Sequence, residues 1–144
     1  MKKIAIVACL RANDVCAGVS CLSALEERRG HFQRYKGEPV RLCAFLRCSQ
    51  CGVDPKGHPG MMEKLEHLVS CGVETAHIGV CASRRDGTVC PHMAKTAAWL
   101  EEKGVHIVWG THEITQQSPG QQRRQKKLIL NEISSCKSDC NLLY

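Results

Sequence analysis

Residues 3–9, Lys-Ile-Ala-Ile-Val-Ala-Cys, decide the fold class of this chain. A short, continuous apolar run rich in Ile and Val is typical of a strand that is covered on both faces. Later stretches of the same character lie at residues 40–46, 74–80 and 105–109. The sequence therefore predicts four buried strands.

Helical patterns separate these four runs. The first covers residues 21–29, the second carries its apolar side chains between Met61 and Val69, and the third begins at Pro91. A glycine follows each pattern, as at the C-terminus of many helices. Alternation of strands and helices predicts an α/β fold with a three-layer, mostly parallel four-stranded sheet of flavodoxin-like or Rossmann-like layout.

The pattern changes after residue 113. We expect residues 1–113 to form the α/β domain and residues 114–144 to form a polar and basic C-terminal extension. The extension has a short apolar face from Leu128 to Ile133, which predicts a docked helix followed by a tail.

The net charge of +6 does not predict a nucleic-acid partner. Five basic and two acidic residues in 114–144 account for half of this excess, so the domain itself is nearly balanced. A surface built for phosphate contacts would need a larger basic excess on the domain. No apolar run approaches the roughly 20 residues that span a bilayer, so we expect no membrane partner.

The chain contains 11 cysteines, an odd number at irregular spacing. Only eight residues precede Cys9, whereas a secretory leader needs about 15 or more. The sequence therefore predicts a cytoplasmic protein with reduced thiols that bind or react, and not a disulfide framework. Cys43 and Cys71 lie inside apolar patterns and are expected to fill the core, whereas His77 is expected at the surface.

Most cysteines lie where the predicted strands end. Parallel strands end at one edge of their sheet, so residues that follow different strands are expected to meet there. The residues at or near these ends are Cys9, Cys16 and Cys21 after the first strand, Cys48 and Cys51 after the second, Cys81, Cys90 and His92 after the third, and His112 after the fourth.

This set predicts a metal site. Two thiols in a Cys-x-x-Cys turn can reach one ion, and soft thiolate ligands favour zinc first, with iron or an iron–sulfur cluster as alternatives. The core candidates are Cys48, Cys51, Cys81, Cys90 and His92, with Cys9, Cys16, Cys21 and His112 nearby.

Two other functions stay open from the residues alone. One is a thiol–disulfide redox enzyme that uses Cys48 and Cys51, with Cys9 or Cys81 as the further partner. The other is a regulatory or adaptor module that acts through the basic extension. Nucleotide-binding loops of the GxxxxGK and GxGxxG types are absent, and the pattern leaves open whether any reaction is catalysed.

The chain resembles the CGGC domain family, which consists of small, cysteine-rich prokaryotic proteins. The matching pieces lie between residues 1 and 113: the strand ending at Cys9, 14–18 with Cys21, 27–30, 34–38, the Cys48–Cys51 pair, Cys81, 90–92 and 110–112. The resemblance implies metal binding, usually of zinc. Ser49 and Gln50 replace the two glycines that name the family, while both sulfurs of the motif are kept.

Overall fold

A computed structural model describes residues 1–84 and 86–113 of the chain. In this part, strands and helices alternate as the sequence predicts. The elements are β1 Lys2–Ala8, α1 Val19–Glu26, β2 Val40–Arg47, α2 Pro59–Ser70, β3 Thr75–Ile78, α3 Pro91–Glu102 and β4 His106–Trp109.

The four strands form one parallel sheet in the order β2-β1-β3-β4. The chain runs from β1 outward to β2 and then returns past β1 to β3. Since the direction of winding reverses at β1, the crevice beyond its carboxyl end is the place where such sheets usually bind ligands. The predicted flavodoxin-like or Rossmann-like α/β architecture is confirmed.

The two faces of the sheet are covered by different helices. Ile4 and Ile6 of β1 pack against α1, whereas Ala5 and Val7 belong to the larger core formed with α2 and α3. Successive side chains of a strand point to opposite faces, which is why one apolar run serves both cores. The arrangement therefore has three layers, as predicted.

Helix α2 begins where its sequence allows. Pro59 occupies the first turn, where a missing N–H costs no helical hydrogen bond. The His58 Nδ1 atom accepts a hydrogen bond from the Met61 amide at 3.1 Å and caps the helix. Between Cys51 and this cap the described chain forms only the short turn Pro55–Gly57, so no long helix follows the Cys-x-x-Cys motif directly.

Two expectations about single side chains are wrong. His77 is fully buried in β3, where its Nδ1 lies 3.0 Å from the Gly110 carbonyl oxygen and its Nε2 lies 2.8 Å from the Tyr35 hydroxyl. These two partners satisfy both ring nitrogens, so a neutral imidazole is buried here without losing hydrogen bonds. Cys71 is exposed, because it follows the last turn of α2 instead of facing the core.

Residues Met1–Glu113 form one compact unit. The predicted docked helix, the basic extension and its adaptor role fall on residues 114–144 and lie outside the described residues. In the described part, no helix has the length and apolar character needed to cross a bilayer.

Candidate functional site

Three cysteines from three neighbouring strand ends meet at the carboxyl edge of the sheet. Cys48 follows β2, Cys9 follows β1, and Cys81 lies in the turn Val80–Ala82 after β3. The Leu10 amide donates a hydrogen bond to the Cys48 sulfur at 3.0 Å, and the Cys9 amide donates one to the Cys81 sulfur at 3.1 Å. Two consecutive amides of the central strand end therefore hold the sulfurs of the two flanking strands.

Cys9 has the surroundings of a thiolate. A hydrogen bond from the Cys48 thiol, the amides of Arg11 and Ala12, and the charge of Arg11 together lower the pKa of Cys9 to about 6, although burial opposes them. The hydrogen bond to Cys9 and burial raise the pKa of Cys48. These surroundings favour the charged form of Cys9 and the protonated form of Cys48.

Accessibility distinguishes the three cysteines. Cys9 is 8% exposed and Cys48 is 2% exposed, whereas Cys81 is an exposed residue. The sulfur of Cys81 nevertheless lies against the end of β1, and burial of this atom raises the pKa of its thiol. A Cβ atom at Gly79 would approach that sulfur to 3.0 Å, so the glycine leaves room for it.

A second thiol, Cys21 of α1, pairs with the end of β4. Its sulfur lies 3.3 Å from the Thr111 hydroxyl and 3.4 Å from Nδ1 of His112. Burial raises the pKa of Cys21, and burial together with the Arg29 charge lowers the pKa of His112. Both shifts favour the neutral forms, so this pair is a thiol beside an uncharged imidazole.

The loop between β1 and α1 is held by Arg47 at the end of β2. Its guanidinium donates to the Cys16 carbonyl at 2.6 Å and to the Cys9 carbonyl at 3.5 Å. Further along this loop, the Gly18 amide donates to the Cys16 sulfur at 3.3 Å. Gly18 has a φ of +81° and a Cβ there would lie 3.1 Å from the Phe45 ring, so the loop needs glycine at this position.

His92 lies apart from these thiols in its observed contacts. It is 5% exposed in the first turn of α3, and its Nδ1–H donates a hydrogen bond to the Val53 carbonyl. Nε2 therefore carries the lone pair, and this buried atom has no partner within the described residues. Cys90 precedes α3 and is half-buried, while Cys51 is exposed.

The predicted ligand set is thus divided between several places. Cys9, Cys48 and Cys81 form one group through their contacts, Cys16 and Cys21 lie in the loop and helix that follow β1, and Cys90 and His92 lie at the start of α3. Among residues 1–84 and 86–113, no three His, Cys, Asp or Glu side chains are grouped closely enough to hold one metal ion. Metal binding by these residues stays a prediction.

Sequence reasoning missed two contributors to the site. Arg47 lies beside Cys48 in the sequence, and a cation at the end of a buried strand was a usable signal. Thr111 contacts the Cys21 sulfur from a distant part of the chain. Only the fold brings them together, so no local pattern could have identified this contact.

The sequence is similar to that of a known protein family. The sequence model of the CGGC domain matches residues 3–112. An uncharacterized protein of Methanocaldococcus jannaschii is 34% identical over 120 residues, which cover 78% of this chain and 88% of that protein. No solved structure matches the chain significantly. The match and the many cysteines are consistent with a metal-binding role.

Proposed function

Since this chain belongs to the CGGC domain family, we propose that it works through the cysteines at its sheet edge, as a thiol–disulfide redox protein. Cys9 is the reacting thiolate and Cys48 is the resolving thiol. The observation that carries the proposal is the hydrogen bond from the Leu10 amide to the Cys48 sulfur at 3.0 Å, which places that sulfur beside Cys9. The neighbouring thiol lowers the pKa of Cys9 to about 6 and raises that of Cys48. We place the pair in a compartment that keeps thiols reduced, such as the cytoplasm.

The reaction follows from the two protonation states. The Cys9 thiolate attacks one sulfur of a substrate disulfide, so that a mixed disulfide forms and the first substrate thiolate leaves. Cys48 then loses its proton and attacks the Cys9 sulfur, which releases the second substrate thiolate. The protein pair is oxidised to a disulfide, the substrate is reduced to two thiols, and a dithiol reductant reverses the change.

The pair differs from the Cys-x-x-Cys motif of the sequence. Cys48 contacts Cys9 and the Leu10 amide, whereas Cys51 is exposed in the turn that follows. We therefore assign the redox partner of Cys48 to Cys9.

A titration against glutathione redox buffers tests the assignment. We expect peptide mapping to find a reversible Cys9–Cys48 disulfide in the full chain, and the variants C9S and C48S to lose it. C51S is the matched control, because it keeps the pair and removes the other sulfur of the motif. A reversible Cys48–Cys51 bond in place of Cys9–Cys48 would overturn the assignment.

Metal binding is the second candidate, with zinc first and iron or an iron–sulfur cluster after it. The His92 contacts favour it, because a metal-binding histidine usually donates one ring N–H to a carbonyl and offers the other nitrogen to the ion. The donor types suit a soft ion. Their placement does not fit a preassembled site in the described part, since no three donors are grouped there. We therefore derive no step through a metal.

Elemental analysis of anaerobically purified protein separates the candidates. Metal binding predicts about one bound ion or cluster per chain, lost in H92A and C48S, and thiols that alkylate slowly until a chelator is added. The redox proposal predicts alkylation rates that a chelator does not change. H67A is the control, because His67 is exposed on α2 and should leave the metal content unchanged.

A further inference from the structure

Burial poses a problem for the proposed Cys9–Cys48 pair. Thiol–disulfide exchange needs the attacking thiolate to approach a disulfide sulfur, so its rate depends on access. Cys9 and Cys48 are only 8% and 2% exposed. A disulfide in solution therefore meets neither sulfur easily in this conformation.

Cys81 occupies the position that would solve this problem. Its residue is exposed, yet its sulfur lies 3.1 Å from the Cys9 amide nitrogen. The strand order places β1 between β2 and β3, so Cys9 lies between Cys48 on one side and Cys81 on the other. The three cysteines thus form a row along the edge of the sheet, with the reacting residue in the middle and the exposed residue at one end.

We propose that Cys81, an exposed residue whose sulfur contacts the end of β1, is the entry thiol of a three-cysteine relay, which passes oxidising equivalents from an external disulfide to the buried pair. This inference rests on the proposed redox function and adds the residue at which the external disulfide first reacts. The contact of the Cys81 sulfur with the Cys9 amide, together with the exposure of Cys81, carries it.

Each step exchanges one disulfide for another. Cys81 loses its proton and its sulfur attacks the external disulfide, so that a mixed disulfide forms and one external thiolate leaves. The Cys9 thiolate then attacks the Cys81 sulfur, so that a Cys9–Cys81 bond forms and the second external thiolate leaves. Cys48 loses a proton and attacks the Cys9 sulfur, which forms Cys9–Cys48 and returns Cys81 as a thiol. The net change is one disulfide reduced and one protein dithiol oxidised.

The first test follows the rate of Cys9–Cys48 formation in the full chain after addition of oxidised glutathione. We expect C81S to reach the same final disulfide at a rate at least about tenfold lower, since only the route of access is lost. C71S is the matched control, because Cys71 is also exposed but follows α2 at the opposite edge of the sheet, and it should react at the wild-type rate.

The second test traps the intermediate. In C48S the last step cannot occur, so a Cys9–Cys81 disulfide should accumulate and appear in the peptide map. C81S oxidised at the wild-type rate, or C48S that collects glutathione on Cys9 with no Cys9–Cys81 bond, would overturn the relay while leaving the redox pair intact. Failure of wild-type protein to form Cys9–Cys48 at all would instead reject the proposed function.

Discussion

The reactivity of a cysteine depends on the groups around its sulfur. Cys9 receives the hydrogen bond of Cys48 and the amides of Arg11 and Ala12, so its charged form is stabilised despite burial. Cys21 and Cys81 lack a comparable set, and burial dominates and raises the pKa of each thiol. Of these three thiols, the surroundings favour the charged form for Cys9 and the neutral form for Cys21 and Cys81.

Alkylation of Cys9 should follow its lowered pKa. We expect the rate of reaction with iodoacetamide, measured by mass spectrometry on the Cys9 peptide, to rise with pH and to reach half of its plateau near pH 6. C48A removes the hydrogen-bond donor, so the midpoint should move up toward the ordinary value of 9.0. C48S keeps a donor and should shift the midpoint less. Equal midpoints in wild type and C48A would contradict this account of the thiolate.

The strands carry a titratable side chain into the core. His77 of β3 is held neutral because burial lowers its pKa to about 4, although the Gly110 carbonyl opposes that change. Its partners tie β3 to the turn Gly30–Tyr35 through Tyr35 and to the end of β4 through Gly110. The stability of this layer therefore depends on an imidazole that must stay unprotonated.

The free energy of unfolding should depend on the protonation of His77 between pH 6.5 and pH 4. The unfolded chain protonates His77 in that range and the folded chain does not, so the stabilisation is complete above pH 6.5 and is lost as the pH falls toward 4. The loss is about 3 kcal/mol at most. Urea titrations of wild type and H77Q should show a smaller pH dependence in the variant. H67Q, which changes an exposed histidine, should keep the wild-type dependence.

A close contact joins the turn at residues 30–35 to the chain after β4. Gly30 has a φ of +54°, and a Cβ there would lie 2.7 Å from the Thr111 carbonyl oxygen. Because that neighbour is backbone, it cannot swing aside as a flexible side chain would. The His31 amide donates a hydrogen bond to the same oxygen at 2.9 Å, which ties the turn to the chain that carries Thr111 and His112.

Two glycine substitutions separate packing from backbone strain. G30A and G104A both force alanine into a positive φ, but a Cβ at Gly104 meets nothing within 4 Å. We expect G104A to lower the free energy of unfolding by about 1 kcal/mol and G30A by clearly more, roughly 2–4 kcal/mol. Chemical denaturation measures both. Equal losses would mean that the Thr111 contact adds nothing.

Sequence alone gives much of this architecture and only part of the site. The strands were predictable because each is a continuous apolar run, and the helices because proline and glycine mark their ends. His77 was misplaced because burial of an imidazole depends on partners from distant elements, here Tyr35 and Gly110. The Cys9, Cys48 and Cys81 contacts follow from strand order, which local patterns do not specify.

For the molecule as a whole, oxidation of the proposed pair should change stability. A Cys9–Cys48 bond would link the ends of β1 and β2 and close a loop that contains α1. The entropy lost by the unfolded chain predicts that the oxidised form is more stable by about 3–4 kcal/mol, reduced by any strain in the bond. Urea unfolding at fixed redox poise measures the difference. A C9S variant should show the same stability under oxidising and reducing conditions.

The hydrogen bonds of Arg47 determine how substitutions in the loop after β1 would act. The two hydrogen bonds that its guanidinium makes within the described residues go to the main-chain carbonyl oxygens of Cys9 and Cys16, so they depend on the path of the loop. Substitutions at residues 10–15 would therefore change the groups around the Cys9 thiolate and leave the hydrogen bonds of Arg47 in place. The reactivity of Cys9 and the position of the loop would then change independently of each other.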